Sequence, residues 1–208
     1  MRTVHVWLRW WLLAAAMGVT HAATADVAVG SVLAVRGAVF RDSGSGLQPL
    51  AAKATVERGD SIVSKAGKAR ISLADGTVIS IGENTRIRLA DYQGVSAATA
   101  TRLALVAGAL RLLVNRITPT GRFEVETETA VAAVRGTDWV VEATSEVTSV
   151  VVVSGAIAVS SRGAQAQSTV VLDTPGAGTD VPRGSAPTPP VKWAAQRYSA
   201  TLARATFE

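Results

Sequence analysis

Residues 69–82 read ARISLADGTVISIG, two aliphatic runs on either side of Asp75-Gly76. Asp-Gly between alternating apolar residues is a strong hairpin signal. A two-residue turn pairs Leu73 with Val78 and Ser72 with Ile79, which puts Ile71 and Leu73 on one face and Ile79 and Ile81 on the other. A three-residue turn, Ala74-Asp75-Gly76 with Gly76 left-handed, pairs Ile71 with Ile79 and Ala69 with Ile81. All the large aliphatics then share one face. Burial specifies register, because a slip of one residue turns a strand's whole apolar set over. The three-residue turn is therefore the favoured reading, with a solenoid corner as the alternative.

The same grammar runs from Val27 to about Leu172. Val32–Val35, Ala69–Leu73, Val78–Ile81, Ile87–Leu89, Leu103–Val106, Phe123–Thr127, Trp139–Val141 and Val147–Val153 are short Val-, Ile- and Leu-rich runs separated by Gly or Asp. That spacing predicts an all-β domain. VRGAVF (35–40), VAGALRL (106–112) and VSGAIAV (153–159) each set Gly-Ala between two aliphatic runs, at glycine intervals of 71 and 47 residues. The intervals are too uneven for a simple array, but they imply one recurring event: Gly permits a tight corner and Ala lets the next strand pack close. The expected fold is a β-solenoid, a β-helix-like stack of short strands with Gly corners, with a β-sandwich as the alternative.

The ends read differently. Arg2 and Arg9 precede the apolar run Trp10–Val19, and Ala23-Thr24-Ala25 follows. This is the layout of a secretory signal peptide, residues 1–25, with cleavage after Ala25. The run is too short to span a bilayer; an uncleaved anchor is the alternative. The expected product is an exported, periplasmic protein with no membrane span. Both histidines, His5 and His21, leave with the leader, and the chain has no cysteine. Disulfides, thiol nucleophiles, His general bases and the usual zinc and haem ligands are then excluded. The 21 Lys and Arg residues are scattered rather than gathered into a stripe, so nucleic acid is not an expected partner.

After Ser160 one more strand is expected at Ser168–Leu172, and five of the seven prolines then fall between Pro175 and Pro190. The domain is assigned to 26–173 and a Pro/Gly-rich linker to 174–190. Residues 191–208 recover a helical period, with Val191, Ala195, Tyr198, Leu202 and Ala205 on one stripe and Lys192, Arg197 and Arg204 away from it. Docking of this helix on its own domain is favoured over a partner or a membrane surface.

SKAGKARISLADGTVISIGENTRIRL (64–89), LVAGALRLLV (105–114), FEVETETAVAAVRGTDWVVE (123–142) and TSVVVVSGAIAV (148–159) together resemble the FecR domain, over roughly Asp60–Val159. The resemblance implies an all-β periplasmic domain that works by binding or scaffolding and supplies no catalytic residues. The best-known members relay a signal from an outer-membrane transporter through a transmembrane helix to an anti-sigma segment. The helix and that segment are not found here, so the iron-signalling role does not transfer.

Four clusters are candidates for function. Arg135-Gly136-Thr137-Asp138 before Trp139 reads as turn chemistry between two strands, with interaction as the alternative. Arg58-Gly59-Asp60 spells an adhesion tripeptide where a strand begins. Glu124, Glu126 and Glu128 share one strand face; they form either a cation or acid/base site, or a solvated face offset by neighbouring arginines, and the second is favoured. Arg86 and Arg88 are the expected partners. Ser64-Lys65 and Lys68 lack the spacing of a Ser-Lys nucleophile or a phosphate loop. Taken together, no catalytic, cofactor or metal site is expected. The expected function is a non-enzymatic envelope module that contacts a protein partner by strand addition, with a role in signalling. The alternative is binding of glycan or peptidoglycan fragments, for which an open groove at Trp139 would speak and a buried indole would not.

Overall fold

The computed structural model describes residues 28–44, 46–91, 101–115, 122–163 and 168–207. The expected leader lies outside the described residues. Among the described residues no helix is long and apolar enough to cross a membrane.

Among the described residues the chain is all-β with one short helix. It opens with β1 (Ala28–Asp42), β2 (Leu47–Pro49), β3 (Thr55–Glu57), β4 (Ser61–Leu73), β5 (Val78–Ile81) and β6 (Arg86–Asp91). Next come β7 (Thr101–Leu113), β8 (Phe123–Glu126), β9 (Ala130–Val134), β10 (Asp138–Ala143) and β11 (Val147–Ser154). The last elements are β12 (Ile157–Ser161), β13 (Thr169–Leu172), β14 (Ala177–Pro182), β15 (Val191–Lys192) and α1 (Ala195–Ala205).

The β4–β5 hairpin adopts the three-residue turn. Ile71 pairs with Ile79 and Ala69 with Ile81, Gly76 has φ +80°, and its N–H donates to the Leu73 carbonyl at 3.0 Å. Asp75 Oδ1 accepts from the Thr77 N–H at 2.8 Å. Ala69, Ile71, Leu73, Ile79 and Ile81 are all buried.

Three long strands organise the rest. Along β4 the buried positions are Ile62 and Ser64, then Gly67, Ala69, Ile71 and Leu73, so the alternation slips by one at Lys65-Ala66. The β1–β4 register shifts at the same level, between Gly37 and Val39. The extra residue of this β-bulge turns the strand. β7 does the same: Leu103 and Leu105 point inward before the slip, Leu110 and Leu112 after it. Gly108, φ +103°, sits at the bend, where an added Cβ would lie 2.2 Å from Thr85 Oγ1.

Each bent strand pairs with different neighbours in its two halves. The first half of β7 lies between β6 and β8, the second between β5 and β10. The single fifteen-stranded sheet therefore folds over into two layers. One carries the end of β4, then β5, β7, β10, β11, β14 and β15; the other carries the start of β4, then β6, β7, β8, β9, β12 and β13. Ile62, Ile87, Leu105, Phe123 and Ile157 of the second layer share one core with Ile71, Ile79, Leu112, Trp139 and Val150 of the first.

Two expectations are corrected. The all-β class holds, but the β-solenoid stack of short strands is not confirmed: among the described residues every ladder but β7–β8 is antiparallel. The Gly-Ala corners are real, but they fold one sheet over rather than winding a coil. The 174–190 span is not a linker either. It contains β14, whose Ala177, Gly178, Thr179 and Val181 are buried and which pairs with β11. Pro175 precedes this strand, Pro182 ends it and the other three prolines of the span follow it. Thr188 holds its other edge through an N–H bond to the Asp180 carbonyl. The tail helix begins at Ala195, while Val191 belongs to β15.

α1 docks on the outer face of the first layer. Ala205, Tyr198 and Leu202 pack with Trp193 on Ala109, Val140 and Val151. The helix has no side-chain N-cap and no acidic residue in its first turn. Isolated helices of this length are marginal, so docking makes the helix. Lys68 Nζ donates to the carbonyls of Ala203 and Thr206, each at 2.9 Å, placing a cation at the negative end of the helix dipole.

Candidate functional site

Arg135-Gly136-Thr137 is the crossing from β9 in one layer to β10 in the other, and Gly155-Ala156 is the return crossing from β11 to β12. The two crossings are stitched together. Thr137 Oγ1 donates to the Ala156 carbonyl at 2.9 Å, and Thr137 exchanges backbone bonds with Val114 at 3.0 and 3.1 Å. A Cβ at Gly155 would stand 2.8 Å from the Gly136 carbonyl, so a larger residue has no room. Asp138 accepts two bonds from Arg111, at 3.0 and 2.8 Å. That hydrogen bond, outweighing burial, holds the Arg111 guanidinium above its ordinary pKa. Arg135 is exposed. The cluster is a joint between layers whose polar groups face each other.

Trp139 is fully buried, opposite Leu112 and Val152. Its indole offers no face to a sugar, so the single-platform form of the glycan reading is gone. The ring N–H has no partner among the described residues. Trp193 is buried too, against Gly178 and under Arg197, whose guanidinium lies 3.6 Å from the ring centroid.

The carboxylate ladder is neutralised by arginines, though not by the expected pair. Arg102 reaches Glu124 at 3.4 Å and Glu126 at 2.6 Å. Arg122 holds Glu124 at 2.8 Å, and Arg183 holds Glu128 at 3.1 Å. Arg86 and Arg88 lie on β6, one strand further away, because β7 runs between β6 and β8. Strand order, which the local pattern does not contain, selects the partners. No group of three or more potential metal ligands occurs among the described residues.

The remaining motifs are structural. Asp60 of the adhesion tripeptide is 2% exposed; it accepts from the Glu57 N–H at 2.8 Å and pairs with Arg41 at 2.9 Å. Ser64 donates to the Gly82 carbonyl at 2.5 Å and accepts from the Thr85 N–H at 2.9 Å, tying the β4 bend to the segment beyond β5. Lys65 lies over Phe40, and Lys68 clamps α1.

Sequence reasoning missed one concavity. A groove of about 1120 Å³ lies between the β7 bend, the β10–β11 hairpin and the end of α1, lined by Lys68, Glu83, Val106, Gly108, Glu142 and Arg204 among others. Glu142 Oε2 is 3.5 Å from Arg204, while Oε1 is buried without a partner among the described residues. No local signal could have found it, because its walls come from elements more than a hundred residues apart.

A folded-over β-sheet jointed at glycines, with its carboxylates ion-paired, defines an all-β domain. Residues 60–158 match the family model described as FecR protein, so a FecR domain occupies this part of the chain. No curated protein matches the chain in sequence. Two crystal structures of a protein of Parabacteroides distasonis ATCC 8503, described as a candidate anti-sigma factor, share the fold at TM-score 0.55 and 22% identity. The match covers 67% of this chain and spans 62% of that one.

Proposed function

We propose that this chain is a non-catalytic binding module of the FecR kind, exported to the periplasm, that acts in envelope signalling by contact with a protein partner. The observation that carries the reading is the FecR domain over residues 60–158, supported by the fold shared with a protein described as a candidate anti-sigma factor. Pairing of the polar residues among themselves is consistent with it: Asp138, Asp60, Glu124 and Glu126 are each engaged by an arginine. The surface left for recognition is backbone edges and scattered apolar side chains such as Leu33, Val106 and Val171, each about half exposed.

The test is photocrosslinking in intact cells, with a benzophenone side chain placed singly at Leu33, Val106 or Val171. A discrete adduct with one envelope protein, from at least one position, is the expected result. The N-terminus of the recovered protein should be Asp26. A purified, leaderless protein that turns over a small molecule, and loses the activity when one carboxylate is replaced, would overturn the reading.

A further inference from the structure

Sheet edges present unpaired N–H and C=O groups, and proteins blunt them with proline, charge, extreme shortness or a covering segment. Three of the edges here are blunted. β2 has three residues and ends in Pro49. β3 also has three and carries Glu57, which is paired to Arg41. β15 has two residues and follows Pro189-Pro190, and Thr188 covers the free part of β14. β13 closes the second layer and, among the described residues, pairs only with β12. Thr169-Val170-Val171-Leu172 contains neither proline nor charge.

The phase of the ladder says which groups are free. The Ser161 N–H donates to the Ser168 carbonyl at 3.1 Å, and bonded pairs alternate along an antiparallel ladder. Ser168, Val170 and Leu172 therefore turn their backbone groups toward β12. Thr169 and Val171 turn theirs outward, where no described residue pairs with them. Side chains suit a further strand as well. Val170 packs against the core at the open end of the layer, and Val171 is 55% exposed on the outer face.

We propose that the free edge of β13 takes up an extended segment of a partner protein as an added strand, with apolar residues at alternate positions. This rests on the protein-contact reading above and assigns it a place. An extended segment satisfies the outward groups of Thr169 and Val171 and brings its own side chains over Val170 and beside Val171. A second copy meeting this one along two four-residue edges falls well below the roughly 1,000 Å² of a stable dimer. An extended segment added to the edge is a weak, transient contact that does not need that area.

The probe is a short fluorescent peptide alternating Val with Lys and Thr, titrated against the leaderless protein by anisotropy, with amide exchange to locate it. Binding should slow exchange at Thr169 and Val171. Val171→Pro removes one outward N–H and leaves the β12 bonds intact; Val171→Lys adds an edge charge without touching the backbone. Each should weaken binding about tenfold or more while the melting temperature holds. No binding, binding indifferent to both variants, or protection mapped to another face overturns the proposal. A concentration-dependent dimer lost in Val171→Pro would assign the edge to a second copy and overturn it too. In cells, an adduct from Val106 with none from Val171 would sink the edge and leave the module reading standing.

Discussion

At Gly108 two demands meet: a backbone with φ +103° and a Cβ position 2.2 Å from Thr85 Oγ1 and 2.5 Å from its Cα. Gly59, φ +87°, has the first demand without the second, since nothing lies within 4 Å of its Cβ position. Gly59→Ala should therefore cost about 1 kcal/mol of strain, and Gly108→Ala more than about 2 kcal/mol, because backbone must also move. Denaturant midpoints of the two variants check this; equal losses would remove the close approach from the account of the bend. Trp139→Ala should cost about 3–5 kcal/mol, as for any large aromatic removed from a packed core, whereas Arg135→Ala should stay within about 0.5 kcal/mol. Chemical denaturation of both variants separates the buried member of this cluster from the exposed one. The bend at Gly136 was legible because Gly and Thr are local turn chemistry. The ion pair of Asp138 with Arg111 was not, because it crosses from β10 to β7.

Among elements, α1 depends most on its surroundings. Asp180 links it to the sheet: its carboxylate accepts from Ser149 Oγ at 2.6 Å and from Arg197 at 2.5 and 3.0 Å. Burial raises the Asp180 pKa, but the hydrogen bonds from Arg197 and Ser149 and the charge of Arg197 outweigh it and hold the pKa below its ordinary value. A folded pKa below the unfolded one contributes stability that is present above about pH 4 and lost as pH falls through the folded value. The Trp193 indole N–H resonance should accordingly shift or broaden as pH drops below about 4, and Asp180→Asn should abolish that pH dependence. A resonance that titrates alike in both proteins would place the linkage elsewhere. Of the stripe Val191, Ala195, Tyr198, Leu202 and Ala205, Val191 lies in β15 and Ala195 is exposed, whereas the docked part, Tyr198, Leu202 and Ala205, was readable from its period. Its receptor face, Ala109, Val140 and Val151, was not, because that face exists only once β7, β10 and β11 lie side by side.

For the whole molecule the decisive feature is that the sheet does not end where the prolines begin. Truncation after Ala194 should leave both layers folded, expose Val140 and Val151, and raise self-association. Truncation before Pro175 removes β14 as well, uncovers the β11 edge and should abolish cooperative unfolding. Circular dichroism melts and sedimentation of the two truncations check this; a cooperative melt for the shorter form would restore a linker boundary at 174. A partner assay on the protein must therefore use the truncation at Ala194, since the shorter form would lose contacts by unfolding.

Register, the Gly76 turn, the glycine corners and the all-β class were determined by the sequence alone. Each depends on a period of two or on a single residue's φ, and both are local quantities. The folding-over of one sheet into two antiparallel layers, the recruitment of β14, the arginines that answer Glu124 and Glu126, and the open edge of β13 were decided only in the tertiary structure. They depend on which strands become neighbours. Neighbour order is chosen by the burial of one shared core across the whole chain, and no window of the sequence contains that sum.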